Sequence, residues 1–428
     1  MKVFINFLYL LLIQNFIFIS VCQFVPDPRY EQTSTLVDNK IYFFGGSTRK
    51  PNYTNEVVYL DLSTLFNATW PLWVKNPMGI PSKEILASSC LSSIDNSTVF
   101  LIGGLSLDQT NQKIINPLLV YSFNSKTSQW NTVKTTGFYN YSVTLIRMNA
   151  VMNDDGNIYI FGGIQVNYTV KSTTHGSYLN KMNVFNTKTL TWSSLNLITN
   201  VPTPRASYTA TLLNNSLIIY IGGLSKNKIN INMNEQTIGD TITARNAHSA
   251  VLTQDGRIII FGGSSANSST RTTTLRAYPD VAVLNTNVSP YKWSIPNISS
   301  ANSPQSLCYH SAEIYKNIMI IAFGIITSDQ LQTSAPLNKN IYLFNVQNYA
   351  WISSNTSTSI PPTSKETGSN NQSNDMTIGI SVGISGFIFI LSLIIGFSYY
   401  RHRKLKKNII EIPGTDYYLT EISNNEKF

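Results

Sequence analysis

The sequence predicts an all-β domain built from six repeats of one four-stranded unit, followed by a single C-terminal transmembrane helix. Three observations predict it. Apolar runs closed by two glycines recur along the chain, tryptophans follow them at a near-constant distance, and 25 residues without a charge (376–400) precede the basic run RHRKLKK at 401–407.

The chain opens with one charge at Lys2, an apolar run from Val3 to Val21, and small residues at Ser20 and Cys22 ahead of Gln23. That order is a secretory signal, so residues 1–22 are expected to be removed on export. Two cysteines then remain, Cys90 and Cys308. Both fall on first strands, of repeats two and six, and are expected as buried free thiols, so the fold must rest on its core.

The repeated unit starts with IYFFGG (41–46), VFLIGG (99–104), IYIFGG (158–163), IIYIGG (218–223) and IIIFGG (258–263). These runs are too short for a helix and are bounded by turn residues, which marks strands. Upstream of each lies another strand-like run, joined through DNK (38–40), DNS (95–97), DDGN (154–157), NNS (214–216) or QDGR (254–257). Asp-Gly between two such runs is a hairpin signal. The glycines Gly45, Gly46, Gly103, Gly104, Gly162, Gly163, Gly222, Gly223, Gly262 and Gly263 therefore sit where the chain turns sharply or another backbone comes close.

A third run follows, VVYLDL (57–62), LLVYSF (118–123), MNVFNT (182–187), VAVLNT (281–286) or IYLFNV (341–346), and then Trp73, Trp130, Trp192, Trp293 or Trp351. The sixth copy is degenerate: AFGI (322–325) is read with Gly324 and Ile325 in place of the glycine pair. Second glycines then step by 58, 59, 60, 40 and 62 residues. The step of 40 leaves 224–245 without a third strand or a tryptophan. Unit four is expected to be truncated, with ININMNE (229–235) either supplying a makeshift strand or leaving the neighbours' apolar surface open.

Strand, Gly-Gly, strand and Trp recurring together over about 30–355 resemble the kelch repeat. The resemblance implies a six-bladed kelch-type β-propeller, related to the propeller domain of galactose oxidase. Blades packed in a ring bury both faces of each sheet and leave only short edges.

That relationship raises copper, because galactose oxidase holds its metal with tyrosines, histidines and a cysteine-linked tyrosine, and Cys308-Tyr309-His310 offers those types. His310 and His248, however, begin HSAEI and HSAVL, so they share one repeat position, and Arg205 and Arg147 come from the corresponding region of their own repeats. After Trp351 the chain is expected to pass through the stalk into the membrane segment, which leaves no room for the separate domain that completes the copper site in that enzyme. The sequence also lacks a nucleophile elbow, an H-E-x-x-H and a glycine-rich phosphate loop. No catalytic residue, metal or other cofactor is expected, and the chain reads as a non-enzyme.

The domain order is then a signal (1–22), a propeller (23–355), a Ser/Thr/Asn/Pro-rich stalk (356–375), a membrane helix (376–400) and a cytoplasmic tail (401–428). Twenty-five uncharged residues exceed the roughly 20 that cross a bilayer, and the basic flank places the N-terminus outside. Asn52, Asn67, Asn96, Asn140, Asn167, Asn214, Asn267, Asn297, Asn355 and Asn371 head glycosylation sequons, with Asn287 weakened by Pro290. Residues 23–375 carry a net charge of only +6, scattered without a basic run, which gives no footprint for nucleic acid.

The function expected is a cell-surface binding protein whose loops, longest at 105–117, 164–179 and 264–279, present a face to an extracellular protein or glycan. The alternative is a membrane-tethered copper radical oxidase of galactose-oxidase type. Oligomeric state is left open by the sequence.

Overall fold

The computed structural model describes residues 24–352 other than 50–52, 64–67, 69–70, 108–119, 138–142, 168–175, 200, 228–229, 267–273 and 331–333. The residues read from sequence as signal, stalk, membrane helix and tail lie outside the described residues. Every regular element among the described residues is a strand, and none of them is a helix long and apolar enough to cross a membrane.

Repeat one forms an antiparallel sheet of Thr33–Val37, Lys40–Phe44, Val57–Asp61 and Trp73–Lys75. Repeat two uses Ser88–Leu91, Thr98–Ile102, Val120–Asn124 and Gln129–Val133 in the same order. Repeat three follows with Ala150–Met152, Asn157–Phe161, Met182–Asn186 and Thr191–Leu195. Repeat five has Ser249–Leu252, Arg257–Phe261, Val281–Asn285 and Tyr291–Ser294. Repeat six closes the series with Ser311–Tyr315, Ile318–Ala322, Ile341–Asn345 and Ala350–Ile352. Among the described residues repeat four has two sheet strands, Thr209–Leu212 and Ile218–Ile221.

Local chemistry sets these units. The turns between first and second strands need a left-handed residue, supplied by Gly156 and Gly256 at φ near 80°. An asparagine ends most third strands and turns the chain with its own side chain: Asn124, Asn186 and Asn345 each accept two amides just downstream at 2.9–3.3 Å. On the fourth strand each repeat tryptophan faces an apolar partner, pairing Leu60 with Trp73, Phe123 with Trp130, Phe185 with Trp192, Leu284 with Trp293 and Phe344 with Trp351. Cross-strand pairs of this kind are the unit of sheet stabilisation.

The glycine pair has a geometric cause. The hairpin of each repeat bends where the pair faces a first-strand residue that also has positive φ, namely Glu31, Leu86, Arg147, Ser207, Ala247 and Tyr309. Beyond the bend the two strands continue as short pairings on one face, such as Lys83–Ile85 with Leu105–Leu107 and Val143–Ile146 with Ile164–Asn167. The amide of each second glycine crosses to the next repeat: Gly46 to Glu84, Gly104 to Leu145, Gly163 to Arg205, Gly223 to Arg245, Gly263 to Leu307 and Gly324 to Arg29, at 2.7–2.9 Å. The last bond returns to the first repeat, so the series closes.

This pattern corrects the sequence register at repeat six. Gly324 stands at the second-glycine position, not the first, and Phe323 takes the first; Ile325 lies beyond the pair. First positions have φ of 61–68°, the left-handed region a side chain tolerates, and Phe323 sits there at 64°. Second positions have φ of 84–102°, outside that region, and all six are glycine.

Hydrophobic clusters lie between neighbouring sheets. One joins repeats one and six around Phe43, Trp73 and Phe323; others join one with two, two with three, four with five and five with six. The cluster between three and four is the smallest, Phe161, Met182 and Val184 against Tyr220, because repeat four lacks its outer strands. Cys90 and Cys308 are buried free thiols.

The truncation has a specific form. Among the described residues ININMNE adds no strand to sheet four: the Ile231 amide bonds the Gly223 carbonyl at 2.9 Å, Met233 shares a buried cluster with Leu213 and Ile221, and the chain then crosses to repeat five. There Trp293 Nε1 donates to the Met233 carbonyl at 2.9 Å, and Thr237–Gly239 adds parallel to the outer strand. Trp293→Phe, which loses this bond and part of the ring's packing, should cost at least about 1 kcal/mol and make 231–239, with Ile231, Met233 and Ile238, the first site of thermolysin nicking. Unchanged digestion would show that the segment is held otherwise.

Candidate functional site

Six chemically different side chains occupy one repeat position around the axis. Their backbones form a closed circuit: Glu31 N donates to Tyr309 O, Leu86 to Glu31, Arg147 to Leu86, Ser207 to Arg147, Ala247 to Ser207 and Tyr309 to Ala247, at 2.8–3.2 Å. A cavity of about 140 Å³ opens beside them. Across it Arg147 bonds the Glu31 carboxylate at 2.8 Å, the Tyr309 hydroxyl at 2.9 Å and the Ser207 hydroxyl at 3.3 Å. Burial opposes the Arg147 charge, but Tyr309 and Glu31 outweigh it and hold its proton more tightly than usual. The guanidinium is a plug tying repeats one, three, four and six together.

The next position outward joins adjacent repeats. Gln32 Nε2 donates to Ser311 Oγ at 2.9 Å, His248 Nε2 meets Thr209 Oγ1 at 3.1 Å and His310 Nε2 meets Ser249 Oγ at 2.8 Å. Burial pulls His310 down to about 3, and burial with the Arg245 charge takes His248 well below its usual value. Both are therefore neutral braces near pH 7. A base whose folded pKa is depressed contributes stability that is full above its unfolded pKa, near 6.5, and is lost as pH falls toward the folded value. Thermal stability should thus decline below pH 6.5, and less steeply in His310→Gln, measured by melting across pH 4–7.

Two residues before the axial position, Arg29, Arg205 and Arg245 are buried and reach the first-glycine carbonyls Gly45, Gly222 and Gly262. Arg205 thus belongs with Arg29 and Arg245, whereas Arg147 shares the position of Tyr309; the two arginines are not equivalent. In repeat two Glu84 fills the arginine position. Burial pushes its carboxyl up to about 8, against bonds from Ser106 and Ser82. An acid raised in the fold contributes stability that is full below its unfolded pKa and is lost as pH rises through the folded one. Glu84→Gln should therefore melt progressively higher than the parent from pH 6 to pH 9; parallel curves would contradict a neutral Glu84.

The sequence-selected residues separate in space. Tyr309 faces the axis, His310 lies between sheets five and six, and Cys308 packs with Tyr30, Ala247 and Ile325. Among the described residues no group of three or more His, Cys, Asp or Glu stands together as metal ligands would. Asn96, Asn214, Asn287 and Asn297 are exposed, and the Asn167 backbone pairs with Val143; Asn52, Asn67, Asn140, Asn267, Asn355 and Asn371 lie outside the described residues. The loops at 105–117, 164–179 and 264–279 start in the short pairings on the face beyond the bend. On that face a cleft of about 770 Å³ opens between repeats one and six, lined by Asp27, Arg49, Gln305, Leu337, Lys339 and Tyr342. Sequence reasoning missed this cleft because its residues come from both ends of the domain.

Sheets bonded side to side around a shared axis define a β-propeller. Residues 8–223, half of the chain, match the KLHDC2/KLHL20/DRC7 Kelch-repeats domain, and the chain belongs to this kelch-repeat family. It is similar to acyl-CoA-binding domain-containing protein 5 of Arabidopsis thaliana, 24% identical over 327 residues covering 70% of this chain and 44% of that protein. Acyl-CoA-binding domain-containing protein 6 of Oryza sativa subsp. japonica is 29% identical over 210 residues, 46% of this chain and 28% of that protein. The host cell factor of Drosophila melanogaster is 27% identical over 217 residues, 46% of this chain and 14% of that protein. The chain spans less than half the length of each of these relatives. The solved structure of YjhT superposes with a TM-score of 0.55 at 14% identity, covering 77% of this chain and 98% of that one.

Proposed function

We propose that this chain is a six-bladed kelch propeller held at the cell surface, N-terminus outside, by the helix at 376–400, and that it binds an extracellular protein or glycan without catalysing a reaction. The observation that carries this reading is the division of labour between axis and face. Around the axis, Arg147, His248 and His310 are engaged in bonds between repeats, which makes them braces, not a nucleophile or a base free to act. The face beyond the bend offers the cleft between blades one and six, where Arg49 and Lys339 oppose Asp27 beside Tyr342. Mixed charge next to an aromatic ring suits a polar ligand. The exposed sequons support a glycosylated ectodomain. Membership in the kelch family supports a protein partner.

The test displays the full chain on cells with one tag after residue 23 and another at the C-terminus. The first tag should stain without permeabilisation and the second only after it; the reverse would end the surface reading. Cells should then retain ligands from a panel of glycans and surface proteins, with retention lost in Arg49→Glu/Lys339→Glu. Retention indifferent to those changes would move the site elsewhere, and peroxide release on a sugar alcohol with added copper would favour the oxidase.

A further inference from the structure

We propose that the open edge of blade four docks an extended segment of a partner protein, an acidic residue followed by a β-branched apolar run, which adds as the missing third strand. This site is separate from the loop-face cleft, and its failure would leave that reading standing.

The first support is what the edge lacks. In the other blades the second strand is paired on both sides and almost wholly buried; Arg257–Phe261 and Ile318–Ala322 are examples. Ile218–Ile221 pairs on one side only, and Ile218, Ile219 and Tyr220 remain partly exposed. Gly45, Gly162 and Gly262 each send their amide to a carbonyl just ahead of the third strand, Glu56, Lys181 and Asp280, at 2.8–3.1 Å. Among the described residues no such carbonyl meets Gly222. Because backbone groups alternate along an antiparallel strand, Ile218 and Tyr220 face the same gap as Gly222.

The second support is the arginine beside it. Arg29 Nη2 reaches the Glu56 carboxylate at 2.8 Å, and Arg245 Nη2 reaches the Tyr278 carbonyl at 2.7 Å; both acceptors belong to the approach to the third strand. Arg205 is equally placed and only 8% exposed, yet its Nη2 bonds just Thr203 Oγ1 at 3.3 Å, within its own approach. Burial lowers the Arg205 pKa, against the raising effect of Tyr208, Tyr220 and Glu235.

The third is room. A cleft of about 800 Å³ runs from Ile218, Tyr220 and Arg205 across to Tyr291 and Trp293. Blade one says what fits there. Glu56, whose carboxylate holds Arg29, precedes VVYLD, so an acid followed by such a run would meet Arg205 and pair with the edge. Strand addition of this kind gains affinity from main-chain bonds and specificity from alternate side-chain pockets.

The probe is a labelled peptide of this chain's own blade-one strand, NEVVYLDL (55–62), added to the purified full chain in detergent. It should bind saturably and slow deuterium exchange at Ile218 and Tyr220. Binding should weaken about tenfold when the peptide carries Glu56→Gln, as expected for loss of a charged hydrogen bond. It should vanish when the peptide carries Val58→Pro, which removes an amide facing the edge, and in the protein variant Tyr220→Pro. Should that variant misfold, the peptide substitutions still decide. Equal binding of the Val58→Pro peptide would overturn the proposal. So would slow exchange at Ile218 and Tyr220 in the chain alone, which would mean that a second copy or the chain's own tail already covers the edge.

Discussion

Gly263→Ala is expected to destabilise the propeller by about 3 kcal/mol, one of the two largest losses anticipated from a single change. At φ +99° the residue lies beyond the left-handed region, so any Cβ carries a backbone penalty of roughly 1–2 kcal/mol. The added atom would stand 2.9 Å from His248 Cβ and 3.0 Å from the Asn246 carbonyl oxygen, and forcing room there costs about 1–3 kcal/mol more. Any shift also stretches the 2.7 Å bond from the Gly263 amide to Leu307, so damage spreads to blade six. Gly263→Val should leave little folded protein. Melting of the purified chain checks the first variant and limited proteolysis the second; a loss under 1 kcal/mol for alanine would mean that the second-glycine position tolerates side chains.

Removing one partner at the axis should cost as much. Glu31 has a side chain only 1% exposed, and Arg147 10%. Glu31→Ala leaves the guanidinium buried without its carboxylate, a change of about 3–5 kcal/mol. Arg147→Leu strands the carboxylate instead and releases Tyr309 and Ser207 as well. The double variant Glu31→Ala/Arg147→Leu, with no buried charge, should lose less than the sum of the two single losses, because removing both ions also removes their desolvation cost. Chemical denaturation of the four proteins gives the coupling. Additive losses would show that the two groups do not act as a pair.

Much of the propeller could be read from residue order because its signals are local. Asp-Gly turns fix hairpins, glycine pairs mark bends, and a tryptophan closes each complete unit. The axial residues gave no such signal. Glu31, Leu86, Arg147, Ser207, Ala247 and Tyr309 share a positive φ and share no chemistry, since their conformation is imposed by the neighbour's carbonyl, not by their own side chains. Phe323 misled the register for a related reason: the first position of the pair accepts a side chain where the second does not. Its ring lies 5.2 Å from both Phe43 and Trp73 of blade one, a reward visible only after the ends of the chain meet. The destination of 231–239 was equally hidden, because a parallel pairing with Tyr291–Ser294 joins residues more than fifty positions apart. The asparagines ending third strands were legible and overlooked; FN or LN at the end of an apolar run was the signal.

Closure of the ring is tested most directly by amide exchange at Glu31, Leu86, Arg147, Ser207, Ala247 and Tyr309. A closed circuit of six bonds can open only when the whole ring unfolds, so all six amides should exchange at one slow rate that follows global stability as denaturant is added. If the Glu31 amide, which bonds the Tyr309 carbonyl, exchanged quickly while the other five stayed protected, the first and last repeats would not be joined, and the molecule would be an open stack.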